Sequence, residues 1–437
     1  MTYENEKINP SVFFSICVPT RNRTATLVHC LKTLIHQDFE DYEILISDNS
    51  DEPESLNTLK ILQELNSTKI KYFKPERILS MTENFEFILS KAKGKFILFM
   101  GDDDGLVINS LNYVFSFINN YDAGVVKCPS ITFHWPGSLS FPSSRLSYPL
   151  DKPVTEIHSK SIIQKVASFQ LAYFNLPMIY YAFVNKKLID EVIAERGSFF
   201  HDSCSVDVYS GFVIAYKTKK YFIADIPFTI AGLSGKSNGE SASKNDKNKI
   251  TNEFVTSHNI EWQLNQYQIP KLPVIDLDTF VLLELLRFKK KFELSKDVFP
   301  INNKNLLVRF ISNDAVFNNK TNLGLGEYFK DFDLYKSDID VLTKIFLHKQ
   351  IYYPNVGKVD NIMVKHELID PNLFCLKNVY DVAVFCKKII DSKASVVPIE
   401  INNMATYLNV NARIKRTFVI KVTNRLKRTF KVLIGKE

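Results

Sequence analysis

The chain has 437 residues, long enough for two or three domains with cores of their own. Its 45% hydrophobic and 24% charged residues exclude a disordered chain and fit a globular one. The net charge of +7, without a recognised nucleic-acid-binding motif or an aromatic-basic platform, gives no reason to expect a nucleic-acid partner. No stretch approaches twenty apolar residues, so no membrane-spanning helix is expected. The polar stretch 1–10 does not read as a signal peptide. Six cysteines are scattered without Cys-x-x-Cys spacing, which points to reduced, buried thiols of a cytosolic protein.

In chain order, Phe13 to Val18 reads as a buried strand that ends in Pro19-Thr20-Arg21-Asn22-Arg23. Leu27, Leu31, Leu34 and Ile35 then recur at helical spacing over Thr24 to Gln37, with Thr24 as the expected N-cap. Tyr42 to Ser47 is a second strand and runs out into Asp48-Asn49-Ser50-Asp51. Phe96 to Met100 is another, followed by Gly101 and three consecutive aspartates, Asp102, Asp103 and Asp104. Strand, polar turn and helix alternate, which predicts an α/β fold with a parallel, doubly wound sheet. Such sheets bind ligands just beyond the carboxyl ends of their strands, where the aspartates lie. Three adjacent carboxylates repel one another and suit a hard divalent cation whose shell a phosphate chain completes. The alternative is an acidic loop that caps a helix over Leu106 to Asn119.

Three segments together carry a more specific signal: Val18-Pro19-Thr20-Arg21-Asn22-Arg23, Ile44-Leu45-Ile46-Ser47-Asp48-Asn49-Ser50 and Phe99-Met100-Gly101-Asp102-Asp103-Asp104. In this order and spacing, over roughly residues 11–235, the chain resembles the family 2 glycosyltransferases of GT-A fold, in particular bacterial enzymes of capsule and surface-polysaccharide synthesis. The resemblance implies a Rossmann-like, mostly parallel mixed sheet with helices on both faces. It also implies an inverting transferase that uses a nucleotide-diphosphate sugar, most often a UDP-sugar, together with Mn2+ or Mg2+. Carried over residue by residue, Pro19, Thr20 and Arg21 line the nucleotide pocket and Asp48 accepts a hydrogen bond from the base. Asn84 faces the nucleotide from a helix; its alternative is an ordinary exposed helix position. The aspartates stand for the DxD motif, with Asp102 on the ribose and Asp103 or Asp104 on the metal. Gly101 departs from the family, which often has aspartate there, and leaves the register of the motif open.

An inverting reaction needs a base for the acceptor hydroxyl. The resemblance implies an Asp or Glu well downstream of the metal motif, which points to Asp207 first and Asp202 second. Asp207 begins an apolar helix over Val208 to Tyr216 and also suits that helix's N-cap, and the two roles are compatible. Gly232 to Gly239 reads as a mobile loop; it lacks the Gly-x-x-x-x-Gly-Lys-Ser spacing of a P-loop. Lys236 within it is a candidate to close over the donor diphosphate, against the plainer reading of a solvent-exposed linker.

Residues 1–245 are expected to form the transferase domain, 246–411 a mainly helical domain and 412–437 a basic tail. Helices are expected over Leu277 to Phe292, Leu334 to Leu347 and Asn378 to Ile390. The middle region carries no recognised motif; acceptor binding, homo-oligomer contacts and buttressing all fit it. In the tail, nine Lys and Arg stand against Glu437 alone, and Ile414, Phe418, Val422, Leu426 and Phe430 recur every fourth residue. A helix there has one apolar and one basic face, suited to an anionic membrane surface, each basic residue adding about 1 kcal/mol at most. The alternative is a packed helix with a solvated basic face. The expected partners are a nucleotide-sugar donor, a glycan or lipid-linked acceptor and that membrane surface; the expected place is the cytoplasm, at the inner face of the cytoplasmic membrane. The competing function is a membrane-surface scaffold for polysaccharide assembly with a vestigial sugar-nucleotide domain. A nucleotidyltransferase is discounted, because Pro19 to Arg23 contains no glycine.

Overall fold

The computed structural model describes residues 12–138, 144–149, 152–236, 256, 259–267, 277–303, 305–306 and 366–394. The chain divides into two units, 1–388 and 389–437, and the described part of the second is the end of one helix. The strands are β1 (Phe14–Thr20), β2 (Tyr42–Asp48), β3 (Ile70–Phe73), β4 (Phe96–Phe99), β5 (Gly105–Leu106), β6 (Val125–Lys127) and β7 (Ile131–His134). They continue with β8 (Arg145–Pro149), β9 (Thr155–His158), β10 (Ala182–Asn185), β11 (Lys220–Ile223), β12 (Thr229–Leu233) and β13 (His366–Ile369). The helices are α1 (Thr24–Ile35), α2 (Glu52–Leu65), α3 (Met81–Leu89), α4 (Leu111–Tyr121), α5 (Ser159–Ala167), α6 (Lys186–Arg196) and α7 (Val206–Lys217). Beyond them lie α8 (Ile260–Gln266), α9 (Leu277–Lys291) and α10 (Val379–Ala394).

Eight strands form the main sheet in the order β3-β2-β1-β4-β10-β6-β11-β9. β3, β2, β1 and β4 are parallel, whereas β10 runs antiparallel between β4 and β6. The chain winds from β1 outward to β3 and then returns to place β4 on the other side of β1. That reversal opens a crevice between the carboxyl ends of β1 and β4. A second sheet, β13-β8-β7-β12-β5, contains β5, the strand that follows the aspartates.

Both faces of the main sheet are covered, which explains why its strands read as unbroken apolar runs. Phe14, Ile16, Val18, Phe96, Leu98 and Met100 share a core with Leu31 of α1 and Val114 of α4. The alternate positions Cys17, Ile97 and Phe99 join Phe85 and Ile88 of α3 and Phe212 of α7. Phe280, Leu283 and Phe288 of α9 belong to that same core, so this helix is built into the body that carries the sheet.

Several local expectations are corrected. Arg23, not Thr24, is the N-cap of α1; it makes no side-chain cap, and the Thr24 N–H instead donates to Glu54 Oε1 of α2 at 3.0 Å. The aspartates do not cap a helix: Gly105 begins β5, and α4 starts at Leu111 after Ser110. Gly232 and Leu233 belong to β12, with Gly232 paired to Phe133, rather than to a mobile loop. The helix expected over Leu277 to Phe292 is α9, and the one over Asn378 to Ile390 is α10. Leu334 to Leu347 and the tail 412–437 lie outside the described residues. Five of the six free cysteines are buried, and Cys375 is exposed. Among the described residues no helix is long and apolar enough to cross a membrane.

Candidate active site

β1 and β4 lie side by side, so Thr20 and the aspartates meet across the crevice. Thr20 Oγ1 donates to Asp102 Oδ2 at 2.7 Å, and Arg23 Nη1 donates to Asp102 Oδ1 at 3.2 Å. Sequence reading selected Arg21, which is exposed, and overlooked Arg23. Asn22, in the left-handed conformation (φ 55°), turns the chain between the two arginines, a geometry Asn tolerates well. Arg23 also donates to the Lys236 carbonyl, so it ties the segment after β12 to the site.

The other two aspartates face the second sheet. Asp103 Oδ2 accepts from Ser234 Oγ at 2.6 Å, and its carbonyl accepts from Trp135 Nε1 at 3.0 Å. Asp104 Oδ1 accepts from the Gly232 N–H at 2.7 Å and Oδ2 from the Gly101 N–H at 3.1 Å. All three are buried. Burial, with repulsion from Asp103, pushes the carboxyls of Asp102 and Asp104 above their ordinary range, and Arg23 and the backbone donors only partly offset it. Arg23 is held above its own ordinary value by Asp102 and Asp103, although burial works against its charge.

On the other side of β1, Asp48 closes β2. It is buried, with Oδ1 accepting from the Ser50 N–H and Oδ2 from the Tyr72 hydroxyl, both at 3.0 Å. Pro19 lies in β1, in register with Ser47 of β2. Ser47 Oγ donates to Asn84 Oδ1 at 2.5 Å, so Asn84 is a buried polar contact to the sheet rather than an exposed helix residue. Its helix is fixed by a capping box between Ser80 and Glu83.

The two candidate bases stand in different places. Asp207 is in the first turn of α7, half-buried, and burial pushes its carboxyl up to about 6, against help from the N–H groups of Val208 and Asp207. Burial raises the phenol of Tyr180, which sequence reading missed, and the charges of Asp207 and of the three aspartates raise it further. The Phe99 N–H donates to the Ile179 carbonyl at 3.1 Å, which draws the segment that carries Tyr180 onto β4. Asp202 is instead 88% exposed, and Lys291 Nζ lies 3.7 Å from its carboxylate.

Among the described residues no three His, Cys, Asp or Glu converge to hold a metal ion unaided. The set suits a shared site instead. Among the described residues Asp103 Oδ1 accepts no hydrogen bond, and such an oxygen suits a hard dication taken up with a diphosphate. Asp104, with both oxygens on backbone donors, stands beside it.

Residues 15–179 match the profile of glycosyl transferase family 2, and this part of the chain is a family 2 glycosyltransferase domain. The main sheet is accordingly the expected mixed, mostly parallel GT-A sheet with helices on both faces. A Campylobacter jejuni protein, GalNAc(5)-diNAcBac-PP-undecaprenol beta-1,3-glucosyltransferase, is 33% identical over 99 residues, 22% of this chain and 32% of that relative. The match therefore spans about a third of the relative's length. The S. aureus TarS structure aligns with 76% of this chain and 51% of its own, at 17% identity and a TM-score of 0.42. Mannosyltransferase PcManGT from Pyrobaculum calidifontis, in complex with GDP-Man and Mn2+, aligns with 77% of this chain and 87% of its own, at 13% identity and a TM-score of 0.39.

Proposed function

We propose that this glycosyltransferase is inverting and metal-dependent and moves a sugar from a nucleotide diphosphate, most simply a UDP-sugar, to a glycan or lipid-linked glycan in bacterial surface-polysaccharide synthesis. The observation that carries the reading is the meeting of Thr20 and Arg23 with Asp102 at the β1–β4 crevice, in one buried run with Asp103 and Asp104. Pro19, Thr20 and Arg21 border the nucleotide, Asp48 and Asn84 receive the base side, and Asp102 takes the ribose. Asp103, with Asp104 beside it, would hold Mn2+ or Mg2+, which would supply positive charge for the leaving diphosphate. Asp207 accepts the proton of the acceptor hydroxyl as its oxygen bonds to the anomeric carbon. The bond from that carbon to the diphosphate oxygen breaks on the opposite face, and the configuration inverts. A carboxyl titrating near 6 is ionised at neutral pH yet basic enough for this transfer.

Residues 1–245 form the transferase module in this reading, 246–411 buttress it and contribute to acceptor choice, and 412–437 meet the inner face of the cytoplasmic membrane. The lipid-linked glycan in the name of the Campylobacter jejuni relative supports an acceptor of that kind. The decisive variant is Asp207→Asn. It should lower turnover roughly 100-fold or more while leaving nucleotide affinity unchanged, and undiminished turnover would exclude Asp207 as the base.

A further inference from the structure

We propose that Glu284 of α9, braced by Arg287, is a positioning residue for Asp207, an inference that rests on the reading of Asp207 as the base. Glu284 is fully buried and Arg287 is 6% exposed. One oxygen, Oε1, accepts from the Cys204 N–H at 2.8 Å, the Ser205 N–H at 2.9 Å and the Cys204 thiol at 2.9 Å. The other, Oε2, accepts from Arg287 Nε at 3.1 Å, and Arg287 reaches on to Gln263 of α8. The groups that Glu284 holds are the backbone of the turn that leads into α7, immediately before the turn carrying Asp207.

Within the turn the Ser203 N–H donates to the His201 carbonyl at 2.9 Å, and the Ser205 N–H is shared with Ser203 Oγ at 3.1 Å. Ser205, the N-cap of α7, makes no side-chain cap, so helix-entry N–H groups need partners from elsewhere. From the opposite side Thr82 of α3 donates to the Ser203 carbonyl at 2.5 Å. The turn is thus clamped between α3, which carries Asn84, and α9. Phe212 of α7 stacks on Phe288 of α9 (5.8 Å, 14°), one turn beyond Glu284, so the two helices hold a fixed register. A buried ion pair is weak ground for stability, because an apolar replacement often serves as well. Its contribution here is geometric: a carboxylate aimed at backbone sets where the following turn begins.

The charged and titratable groups that act with Asp207 are Glu284 from α9 and the phenols of Tyr173, Tyr180 and Tyr181. Glu284 raises the carboxyl of Asp207, so removing its charge should move the acidic limb of the pH profile downward. The test compares wild type, Glu284→Gln, the charge-free pair Glu284→Gln/Arg287→Met, and Asp207→Asn. Turnover is read as UDP or GDP release from UDP-glucose, UDP-N-acetylglucosamine and GDP-mannose with water as acceptor. Backbone order is read by amide hydrogen exchange across 200–210. Both Glu284 variants should exchange at least tenfold faster there and lose roughly 10- to 100-fold in kcat, with nucleotide affinity within about twofold. The pair leaves no lone buried charge, so it should also keep its melting temperature. Wild-type exchange in both variants, or wild-type kcat in the pair, overturns the positioning role. Wild-type turnover in Asp207→Asn overturns the reading of the base instead, and so separates the two failures.

Discussion

Gly232→Ala is the most exacting probe of how the aspartates are packed. A Cβ at this position lies 1.7 Å from the Asp103 carbonyl oxygen, 2.6 Å from its carbon and 2.8 Å from Trp135 Nε1. Backbone must move, and Gly232 is not free to yield because it pairs with Phe133 in the second sheet. Overpacking of this kind costs about 1–3 kcal/mol or more. Moving the Gly232 N–H away from Asp104 removes a hydrogen bond to a buried carboxylate, about 1.5–3 kcal/mol further. The total of roughly 3–6 kcal/mol is a large share of the about 5–15 kcal/mol by which domains are stable. A thermal melt should fall by about 6 °C or more, with nucleotide binding lost because Asp103 is displaced. Gly124→Ala is the control: a Cβ there meets nothing within 4 Å, and its melt should stay close to wild type. A Gly232→Ala protein that melts with wild type and still binds nucleotide refutes this packing.

Two predictions concern pH. If Asp207 is the base, kcat/KM rises with pH as its carboxyl ionises near 6 and levels off above; a profile flat from pH 5 to 7 contradicts the assignment. Lys127 is 8% exposed, and its ammonium donates to the carbonyls of Phe174 and Leu176. Burial pushes it down to about 7 from an ordinary 10.5, so between these values the unfolded chain binds the proton more strongly. Stability therefore rises with pH across that window. The melting temperature of wild type relative to Lys127→Met should climb from pH 7 toward pH 10, and a constant difference shows that burial does not lower the proton affinity of Lys127 in the folded protein.

What was legible in the sequence was local. The runs ending at Val18, Ser47 and Met100 gave β1, β2 and β4 because a sheet covered on both faces needs no polar alternation. Their polar ends gave Thr20, Asp48 and the aspartates for the same reason. The partners of those residues were not legible, since Gly232 and Ser234 stand 128 and 131 positions from the aspartates they hold. Gly232 looked like loop composition, yet its missing side chain is what lets β12 approach the Asp103 backbone. Arg23 was overlooked because the turn at Asn22 reverses which arginine faces inward. Glu284 reads as an ordinary helix residue, and only the packing of α9 on α7 turns it into a buried clamp.

The most direct test of the central claim is calorimetric binding of UDP, GDP and CMP to the full chain, with and without Mn2+, alongside Asp103→Asn. The account predicts that one nucleoside diphosphate binds tightly with Mn2+ and weakly without it, and that Asp103→Asn removes the metal's effect. Nucleotide binding indifferent to both Mn2+ and Asp103, or no binding at all, would contradict it.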